Sequence, residues 1–380
     1  ALNNLGLALA QLGRLDDAAA SCQQALAIKP DHVSALNNLG FIQISQARLN
    51  EGIASYRRAL ALKPDDVETH MNLSLALLRM GDFERGWEEH EWRRRDSKYK
   101  QPVFPQPQWD GANLSGKAIL LHAEQGLGDT LHFIRYVPLV KRRGGRVIVA
   151  CQPPLVRLLA SVKGVDQIIP MGTSLPDFDV YLPLPSLPWI FKTRSDSIPA
   201  DVPYLLPPPE AYPQLDTLLK PAQGKKRIGI VWAGNEAHVN DHNRSCTLSW
   251  FKELAAAKKT ALFSLQKGSR DLAHAQPAPD FPITDLSPYI EDFCDTAAAI
   301  MRLDLVITVD TSVAHLAGAL NRRVWVLLPF VADWRWMQDR EDSPWYPGMR
   351  LFRKTSPGDW VGVFARVRRA LADFDPGTAA

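Results

Sequence analysis

Apolar and polar positions follow two different rhythms along this chain, and the change comes near residue 100. Over 1–97 the pattern repeats with an offset of 34 residues. ALNNLG at 1–6 returns unchanged at 35–40 and loosely, as THMNLS, at 69–74. The same offset aligns Asn4, Asn38 and Asn72; Ala18, Gly52 and Gly86; Ala25 and Ala59; Pro30 and Pro64. From 117 onward, short β-branched runs alternate with helical stretches. Strands are predicted over 118–123, 146–151, 167–170 and 178–182, with helices over 130–143 and 153–161. The alternation then resumes, with strands over 227–232, 261–265, 305–309 and 324–328 and helices over 250–258, 292–302 and 312–320. The run at 305–309 has no polar alternation, as expected of a strand buried on both faces of a parallel sheet. A last amphipathic helix over 357–373 carries Trp360, Phe364, Val367 and Leu371 on one stripe.

The first 97 residues resemble the tetratricopeptide repeat. That resemblance implies helix–turn–helix units, small residues where the two helices cross and a Pro closing the second helix. Two repeats are clear and the third drifts: His90 and Arg93 stand where the first two carry Cys22/Tyr56 and Ala25/Ala59. Its heavy, charged second helix, 83–93, reads as a cap that docks the array on the next domain. So short an array is marginal alone, and the chain opens inside a repeat, which points to a piece of a longer protein. Arrays of this kind bind proteins or peptides, the partner expected here.

The βα alternation implies parallel sheets, and two successive sets imply two Rossmann-like lobes facing across a cleft, with ligand loops at the carboxyl ends of the strands. The expected organisation is an N-terminal all-α repeat array (1–97), then a Pro-containing linker (98–116) with Pro102, Pro105 and Pro107. An α/β lobe (117–208), a connector (209–224) and a second α/β lobe (225–355) follow. The final helix and tail (356–380) are expected to pack back on the first lobe.

Composition narrows the partners. With 46% hydrophobic and 22% charged residues and a net charge of +3, the chain gives no ground for binding nucleic acid or a membrane surface. Its densest basic run, Arg93-Arg94-Arg95, reads as a solvated helix end. Cys22, Cys151, Cys246 and Cys294 lie far apart without CxxC spacing, which fits a reduced, cytoplasmic setting. No apolar run is long enough to span a bilayer.

The candidate chemistry sits where strands end. After the strand at 305–309, Asp310 breaks the run, Thr311 and Ser312 read as N-cap residues, and a helix begins with Val313. Free N–H groups and the helix dipole favour an anion there, although by shape alone an ordinary capped turn is equally open. Two more polar loops end strands of the same lobe: 233–245, with Gly234 and Asn235 near its start and Arg244 near its end, and 266–268, with Lys267. Two cations and a helix N-terminus at one sheet edge suit a diphosphate. His315 lies one turn into the helix, open to a core role or a ligand role. In the first lobe, Gly126 and Gly128 let a substrate approach the backbone and hold Asp129 at the top of the sheet, unless Asp129 merely caps its helix. GLGD is not a dinucleotide fingerprint. His238, Asp241 and His242 invite a metal reading, but no further ligand stands at useful spacing, so no metal is expected. Motifs for Ser or Cys nucleophiles are absent.

Residues 117–355 are similar to glycosyltransferases of the GT-B type, and most of all to the ADP-heptose:lipopolysaccharide heptosyltransferase family, family 9. The residues that carry this are Gly128-Asp129, the segment VDTSVAHLAGAL at 309–320, IGIVWAGN at 228–235 with Arg244-Ser245, and Pro344-Trp345-Tyr346. Ser312 stands where the family usually has Gly. The resemblance implies an inverting transfer from a nucleotide-diphosphate sugar, with that sugar as substrate and no cofactor. Asp129 would be the general base and Asp310 would hold sugar hydroxyls. Thr311, Ser312 and Val313 would present N–H groups to the diphosphate, with His315 nearby and Arg244 against the leaving phosphate. Fixed donors would replace a metal ion. Repeats joined to such a fold are similar in arrangement to protein O-GlcNAc transferases, without their donor motifs. The acceptor is then expected to be a protein selected by the repeats. Two other readings remain open: an inactive scaffold with a vestigial nucleotide site, and a lipopolysaccharide-core heptosyltransferase whose basic mouth would be Lys141, Arg142, Arg143 and Arg146.

Overall fold

The structure, a computed structural model, describes residues 1–96, 102–208, 212–275 and 278–377. The start of the expected linker (98–101), the start of the expected connector (209–211) and the end of the tail (378–380) lie outside the described residues. The chain divides into two compact units. One holds 1–103 together with 188–198 and 331–340, and the other holds 104–187, 199–330 and 341–380.

The first unit is built from α1 (Leu2–Gln11), α2 (Leu15–Ile28), α3 (Val33–Ser45), α4 (Leu49–Leu62), α5 (Val67–Met80) and α6 (Phe83–His90). The small residues at the repeat positions have a direct steric cause. A Cβ at Gly40 would lie 2.6 Å from the Tyr56 ring, and one at Gly52 would lie 2.9 Å from the Gly40 carbonyl. Backbones of α3 and α4 therefore meet where only glycine fits. Neighbouring repeats share cores, with Leu39 and Ile42 of the second against Leu9 and Cys22 of the first. Amide bonds also cross between them: Asn38 Nδ2 donates to Asn3 Oδ1 (2.8 Å) and Asn72 Nδ2 to Asn37 Oδ1 (3.1 Å).

The third repeat forms a complete helix pair, capped at Asp66 and Asp82, whose carboxylates accept from Thr69 N–H and Arg85 N–H. It is covered by chain that arrives much later. Trp87 is fully buried, edge-on to Trp334 with ring centroids 5.1 Å apart. Gly81 ends α5 at φ 88°, and a Cβ there would strike Met337 at 2.8 Å. Arg93 corrects the expectation of a solvated basic run: it is fully buried. A 3-10 turn over Glu91–Arg95 swings it inward, where Nη1 donates to Glu91 Oε1 (2.6 Å) and the His90 carbonyl (3.1 Å). Its neighbour Arg95 lies over the Trp92 ring.

The second unit carries, among the described residues, two parallel sheets. Strands β1 (Ala118–His122), β2 (Arg146–Cys151), β3 (Gln167–Pro170) and β4 (Val180–Pro183) run in the order β3-β2-β1-β4. Strands β5 (Lys226–Val231), β6 (Thr260–Ser264), β7 (Thr284–Asp285), β8 (Leu305–Val309), β9 (Val324–Leu328) and β10 (Met349–Arg353) run in the order β10-β9-β8-β5-β6-β7. β8 and β9 are buried at every position, as a two-sided parallel sheet requires. The first sheet changes direction between β1 and β4, and the second between β5 and β8. Loops diverge at such points and leave a crevice outside the carboxyl ends of the strands.

Three expectations are corrected here. The described part of the linker from Phe104 on is docked: Phe104 packs against the sheet core of Leu120 and Ile148, Trp109 is buried, and its N–H donates to the Tyr181 carbonyl (2.9 Å). The single helix expected over 130–143 is split, because Pro138 opens a new helical turn at Val137–Lys141 after α7 (Leu127–Phe133). The final helix, Trp360–Asp373, packs on the second lobe and not on the first. Its stripe of Trp360, Val363, Phe364, Val367 and Leu371 joins the core of Ile228, Ile230, Phe251, Leu305 and Phe352. The aromatic face laid out by Phe251 and Phe352 is the apolar surface that this stripe matches.

Candidate functional site

At the first switch point, the loop after β1 runs into α7. Gly126 takes the N-cap position, and Asp129 Oδ2 accepts its N–H (2.8 Å). Gln152, just beyond β2, pins this loop by donating to the Gln125 carbonyl (2.9 Å) and accepting from Thr130 Oγ1 (2.9 Å). The carboxylate of Asp129 is thereby held, half-buried, in the first turn of α7.

At the second switch point, Thr311 stands at the N-cap of the helix Ser312–Ala319, but its side chain does not cap. The Thr311 and Thr308 hydroxyls share a hydrogen bond instead (3.1 Å). Asp310, Thr311 and Ser312 are half-buried, while Val313 and His315 are buried.

The two first turns touch. A Cβ at Gly128 would lie 3.0 Å from His315 Cδ2 and 3.5 Å from Ser312 Cα, so glycine is what allows α7 to approach the helix of the other lobe this closely. The loop after β5 reaches the same place: Arg244 Nη1 donates to the Asp310 carbonyl (3.2 Å). Arg244 comes from a one-turn helix, Asp241–Arg244, whose buried Asp241 organises the whole loop. That carboxylate accepts from Ser245 Oγ (2.8 Å), Arg270 Nη1 (2.7 Å) and Arg244 Nε (3.3 Å). Burial pushes the Asp241 carboxyl up, but these hydrogen bonds and the Arg270 charge outweigh it and hold it below the usual carboxylate range. Gly234 N–H donates to Ser245 Oγ (2.9 Å), which ties the start of the loop to its end.

Not every predicted residue joins this group. Lys267 is exposed, and its ammonium donates to the Ser287 carbonyl (2.9 Å); no contact with Arg244 or Asp310 is among its described hydrogen bonds. Asn235 is exposed and closes a local turn by accepting the Ala237 N–H (3.0 Å). Among the described residues no group of His, Cys, Asp and Glu is disposed to hold a metal ion. His238 Nδ1 accepts the Asn240 N–H (3.2 Å). The basic residues expected at the mouth of the first lobe sit at the wrong end of it. Arg146 begins β2, and Lys141, bonded to Asp166 (2.6 Å), precedes it, so both lie at the amino edge of the sheet.

Other residues escaped sequence reasoning. Gln266, buried at the end of β6, accepts the N–H groups of Trp232 (3.1 Å) and Ala233 (3.0 Å) and donates to the Ala233 carbonyl (3.1 Å), fixing the exit of β5. A polar residue directly after a buried run was the available signal. Arg135 is buried and donates to the carbonyls of His132 (2.8 Å) and Trp345 (2.8 Å) and to the Tyr204 hydroxyl (2.9 Å). Burial works against its charge, but Tyr204 and Tyr346 outweigh it and hold the guanidinium above its usual value. Tyr346 places its hydroxyl between His315 Nδ1 (2.9 Å) and His132 Nδ1 (3.2 Å). A further tie between the lobes runs from Arg157 to Asp292 (3.0 Å) and Asp295 (3.3 Å).

Comparison with known proteins agrees with both parts of the fold. Residues 1–32 and 33–66 each match the family model described as tetratricopeptide repeat. The chain is 26% identical over 326 residues to Protein FlbA of Caulobacter vibrioides, a match covering 80% of this chain and 54% of that protein. It thus spans about half the length of the curated relative it matches. A solved glycosyl transferase family 9 structure from Veillonella parvula aligns with a TM-score of 0.52 at 10% identity, covering 70% of this chain and 100% of the other. The E. coli ADP-heptose LPS heptosyltransferase II aligns with a TM-score of 0.46 at 13% identity, over 67% of this chain and 99% of its own. The chain is therefore a tetratricopeptide-repeat array followed by an α/β portion with the GT-B glycosyltransferase fold.

Proposed function

We propose that this chain is a metal-independent, inverting glycosyltransferase that moves a sugar from a nucleoside-diphosphate donor to an acceptor hydroxyl. The observation that carries the reading is the meeting of three loops. Gly128 lies against Ser312 and His315, and Arg244 lies on the carbonyl of Asp310, so the turn bearing a carboxylate faces a turn suited to a diphosphate. In this reading Asp129 takes the proton of the acceptor hydroxyl as its oxygen attacks the anomeric carbon. The bond from that carbon to the diphosphate oxygen breaks, and the nucleoside diphosphate leaves with the electron pair. Its developing charge is met by N–H groups of Thr311, Ser312 and Val313, by Arg244 and by His315, in place of a metal ion. Asp310 holds donor sugar hydroxyls. A single displacement, with the acceptor oxygen entering opposite the departing diphosphate, inverts the anomeric centre. The acceptor is a protein or peptide brought by the repeats, and the setting is cytoplasmic.

One observation favours the rival scaffold reading: Asp129 already caps α7 through Gly126. A thermal-shift series with UDP, GDP and ADP and the corresponding nucleotide sugars, with and without EDTA, separates the two. Stabilisation by one nucleotide series, indifferent to EDTA and weakened by Arg244→Ala, is expected. No shift with any nucleotide would leave the repeats as a partner-binding scaffold.

A further inference from the structure

Burying an ammonium costs free energy that an apolar side chain of the same length would not incur. Lys354, directly after β10, is nevertheless only 5% exposed. Its Nζ donates to the Asn243 carbonyl (3.0 Å) and lies 3.8 Å from the centroid of the Trp360 ring. An aromatic face attracts a cation most strongly where water is excluded. The ammonium is thus braced on the first residue of the final helix while it reaches the loop after β5.

The carbonyl it reaches is a particular one. Asn243 belongs to the one-turn helix Asp241–Arg244, and the last carbonyls of a helix find no partner inside it. A lysine side chain can satisfy such a group, and here it arrives from 111 residues further along the chain. The residue after Asn243 is Arg244, whose guanidinium donates to the Asp310 carbonyl (3.2 Å). Asp241 and Ser245 organise this turn from within the loop, and Lys354 holds it from outside.

Burial pulls the Lys354 ammonium below its usual value, against the opposing effects of Cys246 in the loop after β5 and Asp359 at the N-cap of the final helix. Burial also pushes the Cys246 thiol up, while hydrogen bonds from Thr355 and Gly362 hold the Asp359 carboxyl low. Of these three groups, Lys354 is therefore the one that changes charge between neutral pH and its ordinary 10.5.

We propose that Lys354 is a positioning residue: its buried ammonium, braced on Trp360, holds the Asp241–Arg244 turn so that Arg244 can meet the diphosphate. The part played by Arg244 rests on the reading of the site given above. The hold on the turn does not.

Hydrogen–deuterium exchange of the intact chain tests that hold without substrate. Lys354→Met is expected to raise uptake over 233–246 and to leave uptake over β8 and the repeats unchanged. Wild-type uptake over 233–246 in this variant overturns the proposal. Should Lys354→Met fail to fold, the same comparison is made between Lys354→Arg and the wild type above the pH at which Lys354 loses its proton, read from lysine 13C spectra. Higher uptake over 233–246 in the wild type is then expected, and equal uptake overturns the proposal.

Nucleotide binding supplies the second arm. Calorimetry with UDP, GDP and ADP compares wild type and Lys354→Arg from pH 7 to pH 10. Arginine keeps its charge throughout, so the ratio of the two affinities cancels ionisation elsewhere, including that of the base. The wild type is expected to lose about tenfold relative to Lys354→Arg as pH rises through the Lys354 midpoint, the scale of one hydrogen bond to a charged group. A constant ratio overturns the positioning role. If no nucleoside diphosphate binds the wild type, the glycosyltransferase reading falls, and exchange over 233–246 alone decides whether Lys354 holds the turn.

Discussion

Arg244 fills the space that a side chain at Gly234 would need: a Cβ there would lie 2.5 Å from Arg244 Nη2. The loop after β5 therefore turns back over a residue near its own start, and it does so to deliver a guanidinium to the carbonyl of Asp310.

This gives a test that leaves every charge in place. Gly234→Ala is expected to push the guanidinium off Asp310 and to weaken nucleoside-diphosphate binding about as much as Arg244→Ala does. Losing a charge-assisted contact corresponds to about 1.5–3 kcal/mol, or roughly 10- to 100-fold in affinity. Calorimetric titration of the two variants measures both, and a Gly234→Ala protein that binds like wild type would refute the steric argument.

Asp129→Asn separates catalysis from capping. Asn can still accept the Gly126 N–H at the N-terminus of α7, so folding and donor binding are expected to stay within experimental error of wild type. Turnover is expected to fall by about 10²- to 10⁴-fold, the usual contribution of a positioned base. Steady-state rates together with a nucleotide titration decide it, since full activity in this variant would exclude Asp129 as the base.

In the repeat unit, Gly40→Ala is expected to cost about 1–3 kcal/mol, because the added methyl meets the Tyr56 ring at 2.6 Å within a buried crossing. Urea unfolding followed by circular dichroism reads the loss. Nucleotide affinity in the same variant is expected to remain unchanged.

His90 makes the same unit sensitive to acid. It is buried, and burial, with the neighbouring charges of Arg93 and Arg335, holds its pKa well below the ordinary 6.5. The folded state therefore excludes a proton that the unfolded chain takes up below that value. Stability contributed by the neutral ring is fully present above about pH 6.5 and declines as pH falls, by at most about 1.4 kcal/mol per pH unit. Urea midpoints compared at about pH 7.5 and 5 should show this, and His90→Gln should flatten the difference.

Much of this was legible in the chain because the signals were local. The 34-residue offset rests on steric demands at single positions such as Gly40 and Gly52, and β8 announces itself by five buried residues in a row. The turn at Asp310 is likewise a local strand-to-helix transition. What escaped depends on partners far away in sequence. The contact between Tyr346 and His132 arises only when the segment before β10 meets α7, and Arg93 looks like a surface charge until a 3-10 turn rotates it inward. The final helix showed its apolar stripe but not which lobe offered a matching face. Lys267 was placed by its loop, yet its amine reaches back to Ser287. β10, with arginines at its second and last positions, hides among polar residues because it lies at a sheet edge.

The late stretch 331–340, with Trp334 against Trp87 and Met337 under Gly81, has a consequence for synthesis. On the ribosome the first helices emerge long before the residues that finish their unit, and the whole α/β portion up to Phe330 is made in between. The apolar face of the third repeat stays open throughout that interval. Folding of this chain is therefore interleaved and not sequential: the unit that starts first can finish only after most of the other has been translated.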